Sequence, residues 1–549
     1  MSSLQDPIQD GLQRGWKVFG AQGATGPHSA PAPSALTCDV AIIGSGAGAG
    51  ITAELLTKAG LRVVIVEEGP LKTSTDFNQK EAEAYPSLYQ ESAARKTTDK
   101  AINILQGRCV GGSTTVNWTS SFRTPATTLA HWQGRFGLTD YRVDALAPYF
   151  EQAETRLNIS RWLTTPNENN AVLQRGATKL GIPTETIPRN VKGCWNLGSC
   201  GLGCPTNAKQ SMLITTIPAA LDAGATLLVQ TRAERFVFTE VNGQRHISAL
   251  HCIPVNAMGE QAGSAKSAIK ITAKHYVLAG GAINSPALLL RSNAPDPHGR
   301  LGTRTFLHPV VMSAAIMPAP VQGWAGAPQS IYTDHFLDLQ PPEGPIGFKL
   351  EAPPLHPVIF ASTVSGFGQP QADLLQQFPH TQVLLALLRD GFHAEAPGGK
   401  VSLRSDGSPV LDYPLTDFVM EGARRALLAM VEIQFAAGAR KVLPVHELAE
   451  PYATWAQAKA AIEALPMKPL LTKVVSAHVM GGCGMAGSAN LGVTRPDGRH
   501  WQIDNLSVHD GSLFPTSIGA NPQLSIYGIV NRLAQNLVRH LGARSVTLA

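Results

Sequence analysis

A glycine-rich loop between a short apolar strand and a helix is the feature that most limits what this chain can fold into. Asp39 to Ile43 (DVAII) is a β-branched apolar run typical of a buried parallel strand, and Gly44–Gly50 (GSGAGAG) follows it. A helical stretch, ITAELLTKA, ends at Gly60, and a second apolar run from Arg62 to Val66 ends at Glu67. These elements predict a βαβ unit near the start of the chain.

The glycine loop carries the spacing of a dinucleotide-binding motif. Gly44, Gly46 and Ala49 match G-x-G-x-x-A, in which the first Gly permits a tight turn, the second lets a phosphate approach the backbone, and the small third residue lets helix and strand pack closely. The helix N-terminus would offer N–H groups to a pyrophosphate, and Glu67 is placed to bind ribose hydroxyls. The motif does not choose between NAD and FAD, and a glycine turn without a ligand is the alternative.

Composition narrows the class of protein. The chain has 549 residues with 45 Lys plus Arg against 40 Asp plus Glu, and its net charge of +5 shows no long basic run. Charge therefore does not suggest nucleic-acid or anionic-membrane binding. Seven cysteines are too few for a disulfide scaffold, and no apolar run reaches the roughly 18 residues of a membrane span. With no apolar leader visible, we expect a cytoplasmic protein with more than one core.

Four further motifs occur in order along the chain. They are GRCVGGSTTVNW (Gly107 to Trp118), GGAINSPALLLRSN, HVMGGCGM and DGSLFPTSIGANPQLSI. Together they resemble the glucose–methanol–choline (GMC) flavoprotein oxidoreductases, over residues from about 38 to 541. Within that family, NWTSSFRTP and SAHVMGGCGM look most like the long-chain alcohol oxidase and FAD-dependent glucose dehydrogenase branches.

The resemblance implies an α/β fold with two interleaved domains. A Rossmann-like FAD-binding domain would take residues 36–130, 205–300 and 470–549. An α+β substrate domain built on an antiparallel sheet would take residues 131–204 and 301–469, including a cysteine-rich loop at 194–204.

The resemblance also implies which residues hold the flavin. The loop from Gly107 covers the flavin in the family, and some relatives carry there a His that bonds covalently to it. Val116 occupies that position, so we expect non-covalent FAD. The implied cofactor contacts, besides the glycine loop and Glu67, are Arg108, Gly112, Ser113, Asn117, Asp510 and Pro522.

Alcohol oxidation by a flavin sends a hydride to N5 and a proton to a base, which favours His. His478 occupies the family's catalytic position, with a satisfied core histidine as its alternative; we read His308 as structural. Asn521 precedes Pro522 and an apolar helical face, so it is expected to be a helix N-cap. The resemblance adds a hydrogen bond from Asn521 to the substrate oxygen, and Trp118 and Met480 are expected in the substrate pocket.

Three cysteines lie close together in CWNLGSCGLGCPTNAKQS. Cys194, Cys200 and Cys204 have the spacing C-x5-C-x3-C-P, which resembles the [3Fe-4S] loop of FAD-dependent glucose dehydrogenase subunits. Another metal and three unligated structural thiols are the alternatives. A cluster would pass electrons to a cytochrome or quinone-linked carrier, whereas a flavin without one could reduce oxygen.

The sequence thus predicts an FAD-dependent GMC alcohol dehydrogenase that converts an alcohol into an aldehyde or ketone. An oxygen-using long-chain alcohol oxidase, a flavin-retaining lyase and a non-enzymatic flavin-binding subunit are the alternatives. The expected partners are a small-molecule alcohol and an electron-acceptor protein or small subunit. A small subunit with a signal peptide could carry the chain to the periplasm.

Overall fold

The computed structural model describes residues 6–20, 30–262, 268–364 and 366–548. The strands of these residues are β1 (Lys17–Gly20), β2 (Ala30–Pro31), β3 (Ala35–Ile43), β4 (Val63–Val66), β5 (Ile102–Ile104), β6 (Ile159–Arg161), β7 (Glu185–Thr186), β8 (Pro188–Asn190), β9 (Thr226–Val229), β10 (Thr231–Val241), β11 (Gln244–Pro254), β12 (Ile269–Leu278), β13 (Thr305–Phe306), β14 (Val310–Ile316), β15 (Ile331–Thr333), β16 (Phe348–Glu351), β17 (Thr381–Leu388), β18 (Lys400–Leu403), β19 (Pro409–Asp412), β20 (Lys441–Pro444), β21 (Val474–Ser476), β22 (Met480–Gly481) and β23 (Leu506–Val508).

The helices of the same residues are α1 (Pro7–Gln13), α2 (Ala47–Lys58), α3 (Glu81–Leu88), α4 (Ser113–Val116), α5 (Ala126–Phe136), α6 (Val143–Arg156), α7 (Glu168–Lys179), α8 (Thr216–Asp222), α9 (Gly281–Arg291), α10 (Pro357–Thr363), α11 (Gly368–Gln376), α12 (Asp417–Ala436), α13 (Trp455–Ala464) and α14 (Gln523–His540). Among the described residues, none of these helices has the length and apolar character needed to cross a membrane.

The first of two large sheets has a parallel centre. Its order is β10-β11-β12-β3-β4-β9-β1-β2, with β23 pairing β12, and β12, β3, β4 and β9 are parallel. β3 pairs β4 across α2, so the predicted βαβ unit is confirmed. The helix begins at Ala47, four residues earlier than the predicted apolar stretch, because the small residues Ala47–Gly50 already pack against the sheet. α14 packs on α2 and α6.

The second sheet is mostly antiparallel, with the order β5-β21-β14-β17-β16-β15-β7, and β20 pairs β14. Its strands alternate between two buried faces. Val311, Ala315 and Leu384 belong to the core that α12 covers, whereas Val310 and Leu385 belong to a smaller apolar cluster on the opposite face. Because both faces are covered, nearly every residue of β14, β16 and β17 is buried. The predicted α/β fold with an antiparallel second sheet is confirmed.

The expected domain boundaries do not coincide with the division of the strands between the two sheets. β5 and β21 belong to the second sheet, although both lie in segments expected to bind FAD. α6 lies in a segment expected in the substrate domain and packs against α14. The two parts of the fold are therefore closely joined where the cavity described below lies.

Candidate active site

A cavity of about 730 Å³ lies between the carboxyl ends of β3, β4 and β12 and one face of the antiparallel sheet. Ligand pockets occupy roughly 300–1,000 Å³, and crevices at the carboxyl ends of parallel strands are the usual binding place. The predicted site residues that line it are Gly44, Gly46, Glu67, Arg108, Gly112, Ser113, Asn117, His478, Asp510, Asn521 and Pro522. Ala49 lies fully buried in α2 behind the loop, and the three loop cysteines are not among the lining residues.

The glycine loop has room for backbone but not for side chains. Gly44 has φ +105°, and a Cβ there would lie 2.3 Å from the carbonyl oxygen of Ala279. A Cβ at Gly48 would lie 1.7 Å from the carbonyl oxygen of His509. Gly46 is the N-cap of α2 and provides no side-chain cap, so the first N–H groups of the helix are available to an anionic ligand.

Glu67 connects this loop to a second glycine loop. Its two carboxylate oxygens accept hydrogen bonds from the hydroxyl of Ser45 and from the backbone N–H of Gly69 at 2.7 Å. Ser45 Oγ in turn accepts from the N–H of Gly111 at 3.0 Å. Burial raises the pKa of Glu67 to about 7. Each carboxylate oxygen retains a lone pair, so the residue can still bind ribose hydroxyls.

Arg108 has buried donors without partners. Its Nη2 donates to the carbonyl of Ala257, whereas Nε and Nη1 are buried and have no partner among the described residues. A buried donor without an acceptor is unfavourable, so this guanidinium fits a ligand that supplies acceptor oxygens. Gly112 lies opposite the first loop, where a Cβ would come within 2.8 Å of the Cα of Gly46. Two glycine loops and an arginine with two unpartnered donors thus fit the phosphates and ribose of FAD.

The second loop continues into the short helix α4. Ser113 begins this helix and accepts a hydrogen bond from the N–H of Gly107 at 2.9 Å. Val116 lines the cavity with an apolar side chain that has no atom able to bond covalently to a flavin. Asn117 donates to Gln523 Oε1 at 2.6 Å, which joins the loop to the start of α14.

Asp510 anchors the N-terminus of α9. Its Oδ2 accepts from the N–H of Gly281 and from Ser285 Oγ at 2.8 and 2.6 Å, and its Oδ1 accepts from the N–H of Ser512 at 2.8 Å. Burial raises the pKa of Asp510. The residue therefore holds together two segments of the cavity wall.

The expected cap of α14 is wrong by one residue. Pro522 is the N-cap, Gln523 is the first helical residue, and Gly542 ends the helix at φ +65°. Asn521 makes no capping bond, because its Oδ1 accepts from no N–H group of the described residues, while its amide nitrogen donates to Glu351 at 3.2 Å.

His478 follows β21 and is held neutral. Burial and the positive charge of Lys349 lower its pKa to about 3. Its Nδ1 lies 3.3 Å from Nδ1 of His308, and the N–H of Gly519 donates to Nε2 of His308 at 2.9 Å. Because His308 accepts at Nε2, its hydrogen lies on Nδ1 and points at His478, which then holds its own hydrogen on Nε2. His308, read as structural from the sequence, thus sets the hydrogen arrangement of His478.

Asn521 completes the polar part of the cavity wall, and a buried ion pair outside the lining contacts it. Asn521 Oδ1 is buried without a partner among the described residues. Glu351, which receives the amide hydrogen of Asn521, lies with one oxygen 3.8 Å from Nζ of Lys349. That ammonium lies 3.0 and 4.0 Å from the ring centres of Phe122 and Tyr332. This pair could not be predicted from the sequence, because charges that alternate with apolar residues in a strand usually face solvent.

The remaining wall near His478 is apolar. Trp118, Val310, Leu385, Leu387 and Val475 line it. The expectation that Met480 contributes is wrong, because its side chain lies fully buried in the first core, outside the lining of the cavity.

The cysteine loop does not form a metal site in the part of the chain that the structure describes. No group of three or more His, Cys, Asp or Glu residues is arranged there to hold a metal ion. Cys200 Sγ accepts from Arg189 Nη2 at 3.9 Å, and Cys204 Sγ lies 3.5 Å from the hydroxyl of Thr206. The residues as placed therefore do not fit a [3Fe-4S] cluster, and we derive no electron-transfer step through one.

The cysteine loop is nevertheless connected to the loop that begins at Gly107, which is expected to cover the flavin. Lys209 Nζ donates to the backbone carbonyls of Thr115, Asn117 and Cys200, each at 2.7 Å. Lys209 and Arg189 are both buried, and neither forms an ion pair with a carboxylate among the described residues.

Comparison with known proteins agrees with this arrangement. Models of the GMC oxidoreductase family match residues 85–310 and 395–529. A long-chain-alcohol oxidase of Arabidopsis thaliana is 28% identical over 523 residues, which cover 92% of this chain and 68% of that protein. The 6'''-hydroxyparomomycin C oxidase of Streptomyces lividus is 26% identical and covers 92% of both chains.

Solved structures show the same fold. Pyridoxine 4-oxidase from Mesorbium loti superposes with a TM-score of 0.67 at 18% identity, covering 92% of this chain and 99% of that one. Formate oxidase of Aspergillus oryzae RIB40 superposes with a TM-score of 0.66 at 15% identity, covering 93% and 99%. At these identities the likeness concerns the fold, whereas the family models match most of the chain itself. The chain therefore belongs to the GMC family of flavoprotein oxidoreductases and is an FAD-dependent oxidoreductase.

Proposed function

We propose that this chain oxidises an apolar alcohol to an aldehyde or ketone. The observation that carries the proposal is the cavity wall on which a neutral His478 and the unpartnered amide oxygen of Asn521 both lie. FAD, when bound, supplies the acceptor for the hydride of the alcohol carbon. The apolar wall around Trp118 and the naming of relatives as alcohol oxidases support an apolar alcohol as the substrate.

The hydrogen arrangement of the site suits a hydroxyl group. In the proposed complex, the hydroxyl oxygen accepts from Nε2 of His478, and the hydroxyl hydrogen is donated to Oδ1 of Asn521. This places one partner on the amide oxygen that lacks one. Because the hydroxyl both donates and accepts, the two side chains distinguish it from a carbonyl or an ether oxygen.

Proton removal requires the other tautomer of each histidine, which is reached by proton exchange with water before the alcohol binds. His478 then carries its hydrogen on Nδ1, directed at His308, and the hydroxyl turns its single hydrogen from Oδ1 of Asn521 to Nε2 of His478. His308 then holds its hydrogen on Nε2 and loses the bond from Gly519. Leaving that N–H unpaired costs about 1–3 kcal/mol, which is small against the barrier that a well-placed base removes. We therefore propose His478 as the base and His308 as the residue that positions it.

The test is anaerobic reduction of the bound flavin by an alcohol, followed by loss of its visible absorption. His478→Ala is expected to slow reduction by about 10²–10⁴-fold, the usual contribution of a general base. His298→Ala is the matched control, because His298 is exposed and lies outside the lining of the cavity. Unchanged reduction in His478→Ala would remove this residue from the mechanism. Turnover without any bleaching would indicate a lyase.

The electron acceptor forms a separate proposal. We propose that the reduced flavin passes its electrons to oxygen, and the naming of relatives as oxidases supports this acceptor. A dehydrogenase with a cluster on Cys194, Cys200 and Cys204 is the alternative that the cysteine spacing favours, although these residues are not arranged as a metal site among those the structure describes. About three irons per flavin in protein purified without air would support a dehydrogenase. A ratio near zero with stoichiometric peroxide would assign oxygen as the acceptor.

A further inference from the structure

Lys349 and Glu351 are charged residues of β16 that lie inside the protein. They are 2% and 0% exposed. Lys349 is opposite Leu387 and Glu351 opposite Leu385 in the register with β17, so all four belong to the same face of the sheet. Leu385 and Leu387 line the cavity. The pair therefore belongs to the sheet face that forms the substrate end of the site, and the proposed reaction uses neither charge.

The two charges are held by different contacts. The ammonium of Lys349 lies over the rings of Phe122 and Tyr332, and 3.8 Å from Glu351 Oε1. Glu351 Oε1 has no hydrogen-bond partner among the described residues, whereas Oε2 accepts from Nδ2 of Asn521. The carboxylate thus has one directed hydrogen bond, and it goes to a residue of the proposed catalytic pair.

We propose that the buried Lys349–Glu351 pair fixes the amide of Asn521 with its oxygen free to meet the substrate hydroxyl. An ionised carboxylate only accepts hydrogen bonds, so Asn521 must turn its NH₂ group toward Glu351. Its Oδ1 is then the atom left without a partner, as observed. Without Glu351 the amide could turn over and present NH₂ to the substrate instead.

Lys349 is needed because a lone buried carboxylate would take up a proton. A protonated Glu351 could donate to Oδ1 of Asn521, and the amide would then be held the opposite way round. The ammonium between the aromatic rings favours the ionised form of Glu351 and so the one amide orientation. The pair acts through Asn521, and we therefore assign both members as positioning residues of the proposed reaction.

The test replaces the pair by apolar side chains of similar size. Lys349→Met/Glu351→Leu leaves no unpaired buried charge, and such replacements of buried pairs usually preserve stability. We expect the double variant to keep its FAD content and its unfolding temperature, and to be reduced by alcohol about 10–100-fold more slowly, the loss typical when a residue supporting an active-site ligand is removed. Lys349→Arg, which keeps the cation, is expected to recover most of the rate.

Combining the double variant with Asn521→Ala distinguishes a positioning role of the pair from a general effect on the cavity. Asn521→Ala alone should slow reduction by a factor similar to that of the double variant. Added to the double variant, Asn521→Ala should then have little further effect, because the oriented amide is already lost. Wild-type rates in Lys349→Met/Glu351→Leu, or effects that multiply, would overturn the inference.

A binding measurement keeps the inference distinct from the proposed function on which it rests. A tertiary alcohol has no hydrogen on its carbinol carbon and cannot be oxidised, so its affinity, read from the flavin absorption spectrum, needs no turnover. The affinity is expected to fall about 10-fold in the double variant, to the level of Asn521→Ala. Equal affinity in wild type and double variant would contradict the inference. Failure of every alcohol to reduce the wild-type flavin would contradict the proposed function instead.

Discussion

The imidazole of His478 is surrounded by groups that oppose a positive charge on it. Lys349 approaches it from β16, and His308 meets it through Nδ1. Beyond His308 lies Arg389, while Asp390 accepts the backbone N–H of His308. Burial and the ammonium lower the pKa of His478 to about 3, so the residue is neutral and able to accept a proton at ordinary pH. Protonation before the substrate binds would remove that ability.

Lys349→Met is expected to shift the acid limb of the reaction upward. Lys349 lowers the pKa of His478, so its removal raises that pKa from about 3. Glu351 then becomes neutral by protonation, because burial already raises its pKa, and it does not restore the lost charge balance. In wild type, flavin reduction should be independent of this group above about pH 4, whereas in the variant the rate should fall at a pH about one unit higher.

The measurement is the rate constant of anaerobic flavin reduction from pH 4 to 8, in wild type, Lys349→Met and Lys349→Arg. The arginine variant keeps the positive charge and serves as the matched control. Superimposable acid limbs in all three proteins would show that Lys349 does not act on His478.

The sequence motifs identified the residues expected to act on the substrate, but not the residues that position them. His478 and Asn521 stand in recognisable motifs, and the structure brings both to one cavity. Lys349 and Glu351 stand in FKLE, which reads as a strand with one solvent face. Only the coverage of both faces of the second sheet makes these charges internal. His308 could not be assigned either, because its contact with His478 joins positions 170 residues apart.

At the scale of elements, the turn between β3 and α2 requires both a positive φ and the absence of a side chain, and these two requirements can be separated. Gly44 has φ +105° and no space for a Cβ next to Ala279. Gly60, just past the end of the same helix, has φ +92° but nothing within 4 Å of a Cβ. The glycine pattern predicted both turns, yet not that only the first is crowded, because the crowding comes from the chain that follows β12.

Comparing Gly44→Ala with Gly60→Ala separates these constraints. Gly60→Ala should lower the free energy of unfolding by about 1–2 kcal/mol, from backbone strain alone, and keep its FAD. Gly44→Ala should lose most of its FAD as well, because the loop must move away from Ala279 to admit the methyl group. The measurements are the flavin-to-protein ratio and the unfolding temperature. Equal flavin content in the two variants would mean that the close approach at Gly44 does not shape the cofactor site.

At the scale of the whole molecule, the cavity lies between two separate hydrophobic cores. One core lies around the parallel sheet with α2 and α14, and the other lies between the antiparallel sheet and α12. The cavity wall has Glu67 and Arg108 on the side of the first core, and on the other side Leu385 and Leu387, which belong to the smaller apolar cluster on the face of the antiparallel sheet opposite α12. A bound dinucleotide would therefore stabilise both parts and couple their unfolding.

Removing FAD is expected to uncouple the two cores. Holoenzyme should unfold in one calorimetric transition, and apoprotein in two transitions at lower temperature, since saturation at 100 times Kd contributes about 2.7 kcal/mol. AMP, which carries only the adenylate part of FAD, is the matched control. We expect its phosphate at the N-terminus of α2 and its ribose at Glu67, so AMP should raise one of the two transitions and leave the other unchanged. A single apoprotein transition at the temperature of the holoenzyme would show that the two cores are coupled by direct packing, because strands such as β5 and β21 already join them without the cofactor.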